Sequence, residues 1–374
     1  MIRAVLLALA GAIALAAPAN AHKASDGYLH LAVTTAGVDG QWDIALRDLE
    51  QAVGLEGNGD GAITWGELKA RHGAIAAYAL PRLGIGADGA ACTPVATEHL
   101  VDGHTDGAYA VLRFTAPCPT PPAELTVVYR LFAEVDPLHR GLLRVTADGG
   151  THSAVLGPEA PEFRIAVGQA PDLVAQVLGY GWHGVWHIWI GFDHILFLLS
   201  LLLPAVLRRR DGRWQAVGTF REAAVEVLKV VTAFTVAHSL TLTLATLGLV
   251  ALPSRLVESV IAASVVLAAL NNVFPLVDRR LWLLAFGFGL IHGLGFAGAL
   301  EELGLPRHTL ILSLLAFNLG VELGQLAIVA AFLPVAFLLR RTTLYPRVVL
   351  RAGSGAIAAV AGLWLAERAL DLSF

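Results

Sequence analysis

The chain has 374 residues, of which 56% are hydrophobic and only 15% are charged, and its formal net charge is −4. Soluble domains carry about 25% charged residues, so this composition indicates a membrane protein that also has room for a soluble domain. The weakly acidic balance argues against a nucleic-acid partner and leaves the lipid bilayer as the expected surroundings.

The N-terminus has the pattern of a secretory signal peptide, residues 1–21. A short apolar run over residues 4–17 is followed by a small-residue cleavage site ending at Ala21. Cleavage there would make His22 the mature N-terminus. This residue either chelates a metal through its amino group and imidazole or frays in solvent. We therefore expect residues 22–170 to be exported.

This exported part is predicted to be a small β-sandwich. Short alternating segments separated by Gly and Pro are typical of half-buried strands. The segments are residues 28–33, 41–49, 108–114 and 125–132. Both cysteines, Cys92 and Cys118, fall in this domain, and in an oxidising compartment we expect them to form a disulfide.

One segment of the domain, residues 56–67, carries oxygen ligands at the spacing of a calcium-binding loop. The ligand positions hold Glu56, Asn58, Asp60, Thr64 and Glu67. Gly61 stands where the sharp turn is needed, so the segment resembles an EF-hand loop that binds a structural calcium ion. The loop occurs singly and begins with Glu instead of Asp. The alternative is therefore an acidic, Gly-rich turn before a helix at residues 68–79.

After a linker at residues 171–183, which includes a short helix at 172–178, the chain becomes strongly apolar. Six stretches follow, each near the ~20 residues that cross a bilayer. They are residues 184–207, 225–250, 255–275, 281–300, 309–338 and 348–369. Residues 184–374 are therefore predicted to be an all-α polytopic bundle of six transmembrane helices.

Loop charges predict the direction of these spans. Arginines crowd three loops, whereas the opposite loops carry only Arg255 and Arg307. The crowded positions are Arg208, Arg209, Arg210, Arg213, Arg221, Arg279, Arg280, Arg340, Arg341 and Arg347. Positive residues stay cytoplasmic, so the exported domain and the C-terminus are both expected on the periplasmic side of a bacterial inner membrane.

Inside the apolar stretches, polar side chains are few and most lie at similar depth. A charged group near mid-bilayer costs about 2.5–3.5 kcal/mol on insertion scales, so such groups usually face a pathway or an ion. The set is His183, His187, Asp193, His194, His238, His292, Asn318 and Glu322. Because four spans contribute to it, we expect a shared metal site, with His183 nearer the outer mouth.

The direction of Asp193 is an open point of this prediction. In a regular helix it points about 100° away from His194. Either a break at Gly191 redirects the chain, or Asp193 orients a histidine on a neighbouring helix. The pairs Gly289–Gly293 and Gly320–Gly324 let helices approach closely, and packing alone is a sufficient explanation for some of these glycines.

The ligand types narrow the ion. Imidazole with carboxylate suits nickel, cobalt or zinc, whereas copper(I) prefers sulfur, and the predicted bundle contains neither Cys nor Met. The chain shows no Gly-rich phosphate loop with Lys-Ser/Thr, so no ATP-driven step is indicated.

The His187-x5-Asp193-His194 pattern resembles the signature of the HupE/UreJ family of nickel and cobalt permeases, in its longer branch with an exported domain. Segments 234–239, 288–293 and 317–322 look like the other polar helices of that family. The resemblance implies a non-enzymatic protein that takes up nickel or cobalt, its transported substrate, by a secondary or facilitated route. His183 and His187 would capture the ion. The residues that would then coordinate or relay it are Asp193, His194, His238, His292 and Glu322.

Two other classes stay open. Three histidines and an aspartate could hold zinc and an activated water, as in an intramembrane hydrolase. The chain could also be a non-transporting assembly factor or sensor whose exported domain binds metalloenzyme assembly proteins. Self-association into a homo-oligomer is compatible with each class.

Overall fold

The protein is described by a computed structural model that covers residues 26–104, 107–118, 122–170, 172–210, 213–277, 280–295 and 307–370. The predicted signal peptide and His22 lie outside the described residues. The described chain has a β-rich N-terminal part and a helical remainder, which confirms the predicted division into a β-rich domain and a helical region.

The β-rich part contains two sheets. The strands are β1 (Asp26–Thr34), β2 (Gly37–Ala45), β3 (Leu83–Ala87), β4 (Ala90–Ala91), β5 (Val95–His104), β6 (Gly107–Pro117), β7 (Glu124–Tyr129), β8 (Arg140–Ala147), β9 (Gly150–Leu156) and β10 (Glu162–Ala166). One sheet has six strands in the order β5-β6-β2-β1-β8-β9, and the other has four in the order β10-β7-β3-β4. Strand β1 is antiparallel to β2 and parallel to β8.

Both sheets contribute to one hydrophobic core. Leu29 and Trp42 enter it from the six-stranded sheet, and Ile85 and Val127 from the four-stranded sheet. Helices α1 (Leu46–Val53) and α2 (Trp65–Ala79) cover it as well. Alternating side chains face the core because successive residues of a strand point to opposite faces. The predicted disulfide between Cys92 and Cys118 is confirmed, with Cα atoms 4.8 Å apart.

Two predicted boundaries in this domain were wrong. The strand expected over residues 41–49 ends at Ala45, because the next eight residues form α1 and bury Leu49. The helix expected at residues 68–79 begins earlier, at Trp65. Its start is set by a capping box: Thr64 Oγ1 accepts a hydrogen bond from Glu67 N at 3.3 Å, and the Glu67 carboxylate accepts one from Thr64 N at 2.9 Å.

The helical region consists mainly of long apolar helices. They are α3 (Leu173–Ile190), α4 (Phe192–Leu202), α5 (Phe220–Thr246), α6 (Ser254–Val273), α7 (Leu281–His292), α8 (Arg307–Leu339) and α9 (Gly353–Leu370). Among the described residues, four helices are long and apolar enough to span a membrane, or five when α3 and α4, bent by 72°, are counted as one span. The apolar helix α7 is shorter. The predicted count of six spans is therefore not confirmed.

The entry into this region differs from the prediction. The expected linker, residues 171–183, is mostly helical, because Asp172 caps α3 by accepting hydrogen bonds from the amides of Val174 and Ala175. The expected first span, residues 184–207, is split into α3 and α4 and then enters a hairpin of β11 (Leu207–Arg210) and β12 (Arg213–Ala216). A π-helical segment, Tyr345–Ala352, precedes α9.

Glycines bring selected helices into backbone contact. A Cβ on Gly184 of α3 would collide with the carbonyl oxygen of Phe317 on α8, and a Cβ on Gly320 would collide with that of Gly181. Likewise, a Cβ on Gly289 of α7 would lie 2.6 Å from the carbonyl oxygen of Phe234 on α5. Close packing is therefore a sufficient reason for these glycines, and it places α3 against α8 and α7 against α5.

The six-stranded sheet rests on one end of the helical region. Tyr28 and Tyr109 pack in one apolar cluster with Tyr180 of α3 and Leu314 of α8. The hydroxyls of Ser153 and Tyr180 lie 3.2 Å apart. The face of the sheet that points away from its own core therefore contacts the start of α3.

Candidate metal centre

Three histidines from three helices meet inside the helical region. His187 on α3, His194 on α4 and His238 on α5 each offer one ring nitrogen, and these atoms all lie within 4.8 Å of one another. The ring of His292 on α7 adjoins the group, with its centroid 5.1 Å from that of His194. We refer to these four residues as the histidine cluster.

A break in the first span makes this meeting possible. In a continuous helix, positions 187 and 194 would be separated by about 10 Å along the axis. The 72° bend between α3 and α4 brings the two ring centroids to 4.8 Å. Gly191 occupies the bend, and a Cβ there would lie 2.9 Å from Nδ1 of His194. The structure thus shows the break at Gly191 that was one of the two alternatives.

Asp193 forms a hydrogen bond with the histidine next to it in the chain instead of with a histidine on another helix. Its Oδ1 accepts hydrogen bonds from Nδ1 of His194 at 3.0 Å and from the His194 amide at 2.9 Å. Its Oδ2 lies 3.7 Å from Nη1 of Arg368 on α9. Because the carboxylate accepts a hydrogen bond from the Nδ1–H group, the lone pair of His194 is on Nε2.

The tautomer of His292 follows from its hydrogen bonds. The hydroxyl of Ser264 donates to the carbonyl of Ile261 at 2.6 Å, so its oxygen is left to accept from Nε2 of His292 at 2.9 Å. With the proton on Nε2, the lone pair of His292 is on Nδ1. The tautomer follows because the serine hydroxyl has a single proton, which is already donated to Ile261.

The same logic applies to His238. Nδ2 of Asn318 donates to the carbonyl of Leu314 at 2.9 Å, which identifies Oδ1 as the acceptor facing Nδ1 of His238 at 3.4 Å. The proton of His238 is then on Nδ1, and its lone pair is on Nε2. Three histidines are therefore held by a carboxylate, a hydroxyl and an amide, which is how metal-binding histidines are usually oriented.

The nitrogens left over by this network are buried. Within the described residues, Nε2 of His194, Nε2 of His238 and Nδ1 of His292 have no hydrogen-bond partner. Leaving a buried polar atom unpaired costs about 1–3 kcal/mol, so these nitrogens require an explanation. A cation held between the ligand atoms of His187, His194 and His238, which lie within 4.8 Å of one another, would give the nitrogens of His194 and His238 a partner.

Some predicted site residues lie outside this group. His183 is one helical turn before His187 on α3, towards the end that contacts the β-rich domain. Glu322 is one turn beyond Asn318 on α8, and its Oε1 accepts a hydrogen bond from Thr232 at 3.2 Å. Neither residue belongs to the group of three imidazoles found among the described residues.

Two residues that orient the cluster were missed by the sequence analysis. Ser264 lies in an apolar helix, where a lone serine usually forms a hydrogen bond with its own backbone. Nothing in the sequence therefore indicated its contact with His292. Arg368 did carry a signal, because a charged residue near the end of an apolar span calls for a partner. Its partner Asp193 lies 175 positions earlier in the chain, too far for any local pattern to reveal.

The calcium-loop candidate forms a closed acidic turn. Glu56 Oε1 accepts a hydrogen bond from Gly61 N, and Asp60 Oδ1 accepts one from Ala62 N, both at 2.8 Å. Glu67 is held by the amides of Thr64 and Gly57, and these hydrogen bonds lower the pKa of its carboxyl group. These contacts are those of the Gly-rich turn before a helix. Calcium binding stays a prediction.

Together, the apolar helices and their buried imidazoles define a multi-pass membrane protein with a metal-ligand cluster among its helices. The HupE / UreJ protein family matches residues 165–368 of the chain, and the chain belongs to that family. The match begins at the end of β10 and covers the helical region, which confirms the family resemblance of the polar helices. No curated protein matches the chain.

Proposed function

We propose that the protein is a permease that carries a divalent transition metal, nickel or cobalt, from the periplasm to the cytoplasm by a secondary or facilitated route. The observation that carries this proposal is the group of three imidazoles whose ligand atoms lie within 4.8 Å of one another. Membership of a family associated with nickel and cobalt transport supports the proposal.

The kind of ion follows from the ligands. Neutral imidazole nitrogens suit nickel, cobalt and zinc, whereas calcium and magnesium prefer oxygen ligands. The second nitrogen of His194 bonds a carboxylate, which raises the basicity of the ring towards a metal. The described side chains of the cluster offer no thiolate or thioether, the ligands that copper(I) prefers.

His183 and Glu322 suggest a path for the ion. His183, next to the sheet, would receive the ion first, and the histidine cluster would hold it at mid-depth. Glu322, hydrogen-bonded to Thr232, would offer the next oxygen ligand beyond Asn318. A histidine that binds a metal has to be neutral, so protonation of the cluster would weaken binding and favour release.

The proposed orientation of the chain in the membrane rests on the arginines. Arg209, Arg213, Arg347 and Arg351 line one cavity of about 440 Å³, so two of the arginine-rich loops lie on one side of the helical region. The positive-inside rule makes that side cytoplasmic. The β-rich domain contacts the other end of α3 and would be periplasmic. Six crossings result when α3 and α4 count as one broken span and α7 counts as a crossing of its own.

The hydrolase alternative needs a carboxylate aimed at a metal-bound water. Asp193 instead turns one oxygen to His194 and the other to Arg368. Glu322 accepts a hydrogen bond from Thr232 one helical turn away from Asn318. These contacts favour a carrier of the ion over an enzyme that uses it.

The test is nickel and cobalt uptake into proteoliposomes that contain the full-length protein. We expect the double variant His194→Ala/His238→Ala to lose uptake, because it removes two of the three imidazoles whose ligand atoms lie within 4.8 Å of one another. His99→Ala is the matched control, since His99 lies on β5 and stacks on His72 of α2 within the β-rich domain. The proposal would be overturned if liposomes with the wild-type protein took up no more metal than protein-free liposomes. It would also be overturned if the double variant transported the metal as fast as the wild type.

A further inference from the structure

A second group of metal-ligating side chains lies in the β-rich domain. Asp43 on β2 and Asp102 and His104 on β5 each offer one ligand atom, and these atoms lie within 4.8 Å of one another. Oδ2 of Asp43 is 3.2 Å from Nε2 of His104. We refer to these three residues as the sheet site.

Asp43 is a buried carboxylate whose two oxygens are both held by a neighbouring side chain. The residue is only 3% exposed, and the side-chain amide of Gln41 donates to both of its oxygens, at 3.0 and 3.3 Å. The amide of Gln41 is uncharged, so these hydrogen bonds supply no positive charge. Taking a carboxylate out of water is costly unless a cation is near, so a bound dication would stabilise this arrangement.

The spacing of the ligand atoms fits a transition metal. Metal–nitrogen and metal–oxygen bonds of about 2.0–2.2 Å at a tetrahedral angle separate two ligand atoms by about 3.3–3.6 Å, close to the distance between Asp43 and His104. Asp43 and His104 are 3.2 Å apart before any metal is added. Asp102 is exposed and can close on the ion as a third ligand. One imidazole and two carboxylates suit zinc, nickel, cobalt or manganese.

The sheet site lies on the face of the sheet that contacts the helices. The ring of His104 stacks on Tyr28, with centroids 4.7 Å apart, and packs on Tyr109 at 4.2 Å. Tyr28 and Tyr109 belong to the apolar cluster that includes Tyr180 of α3. His183 follows Tyr180 by one helical turn, so the sheet site adjoins the end of α3 that leads to the histidine cluster.

We infer that Asp43, Asp102 and His104 form a second divalent transition-metal site, which captures the ion at the domain surface and passes it to α3. This role rests on the proposed transport function, although the binding itself does not. The exposed carboxylate of Asp102 lets the ion enter from solvent. Release of the ion from the sheet site would begin with the same exposed carboxylate.

The experiment counts cobalt ions bound to purified full-length protein by equilibrium dialysis against cobalt chloride. Wild type is expected to bind one ion at each of the two sites. The isosteric double variant Asp43→Asn/Asp102→Asn should lose one ion, and His194→Ala/His238→Ala should lose the other. The control His99→Ala, on the same strand as Asp102 and His104, should bind as the wild type does. An Asp43→Asn/Asp102→Asn variant that binds as much cobalt as the wild type would overturn the inference.

The variants separate the failure of this inference from that of the proposed function. Loss of an ion only in His194→Ala/His238→Ala refutes the sheet site and leaves the permease proposal intact. Loss of an ion only in the aspartate variant supports the sheet site while refuting the intramembrane site. Should substitution of buried Asp43 prevent folding, Asp102→Asn alone changes an exposed side chain. It is expected to weaken cobalt binding at one site by about tenfold or more, and unchanged affinity would contradict the inference.

Discussion

Replacing Asp193 by asparagine tests how the histidine cluster is oriented. The substitution keeps the size of the side chain and one acceptor oxygen but removes the negative charge. In the wild type, Oδ1 accepts from Nδ1 of His194 at 3.0 Å while Oδ2 lies 3.7 Å from Arg368. We expect the variant to insert and fold but to bind the metal more weakly.

The magnitude follows from the distances. An ion on Nε2 of His194 would lie about 7 Å from the carboxylate, since the ring is followed by a metal–nitrogen bond of about 2 Å. At an effective dielectric constant of about 20, a dication at that distance attracts the carboxylate by about 5 kcal/mol. Arg368 offsets part of this attraction. We therefore expect a loss of about 1.4–2.7 kcal/mol, or about 10- to 100-fold in affinity, as for other outer-shell partners.

The assay is equilibrium dialysis of nickel or cobalt against purified full-length protein. Glu226→Gln is the matched control, because Glu226 also lies on a membrane helix but pairs with exposed Lys229 at 3.3 Å. The control should retain the wild-type Kd. An Asp193→Asn protein with the wild-type Kd would refute the idea that this carboxylate positions and polarises His194.

Three further predictions concern stability. Burial, helped by the charges of Arg140 and Arg47, lowers the pKa of His139 to about 3. Because unfolded histidine titrates near pH 6.5, the unfolded chain binds more protons, and the β-rich domain should lose stability as the pH falls below about 6.5, by about 2 kcal/mol at pH 5. Chemical unfolding of wild type against His139→Gln, which should show a flatter pH profile, checks this. Gly320→Ala should lower the melting temperature, because the added Cβ separates α8 from Gly181. Gly287→Ala is the control and should not lower it, because its Cβ meets no described atom within 4 Å. Equal melting temperatures of the two variants would contradict the packing argument. Calcium should raise the melting temperature of the wild type but not that of Glu67→Gln, and the absence of any calcium effect would leave the acidic turn as a helix cap only.

Part of this molecule could be predicted because it depends on local pattern. A long apolar run predicts a membrane helix whatever its neighbours are, and alternating segments between glycines predict strands. The disulfide could be predicted from the presence of two cysteines and the expectation of an oxidising compartment. Errors occurred where a local pattern ended. Residues 46–49 continue an alternating segment but form a helix, because Leu49 reaches the core from that geometry.

The composition of the site was partly visible in the sequence, since imidazoles and carboxylates in apolar spans are costly and therefore conspicuous. Asp193 shows the limit of that approach. Periodicity left two directions for it, and only the 72° bend at Gly191 decides that it accepts from the adjacent His194.

By itself, the sequence determined that this is a membrane protein with a β-rich domain and with histidines among its apolar spans, because solvent preference is encoded residue by residue. Only the tertiary structure decided which side chains converge. Ser264 meets His292 from another helix, and Asp43 meets His104 from another strand. Such contacts join residues distant in the chain, and they follow from how the helices and sheets pack.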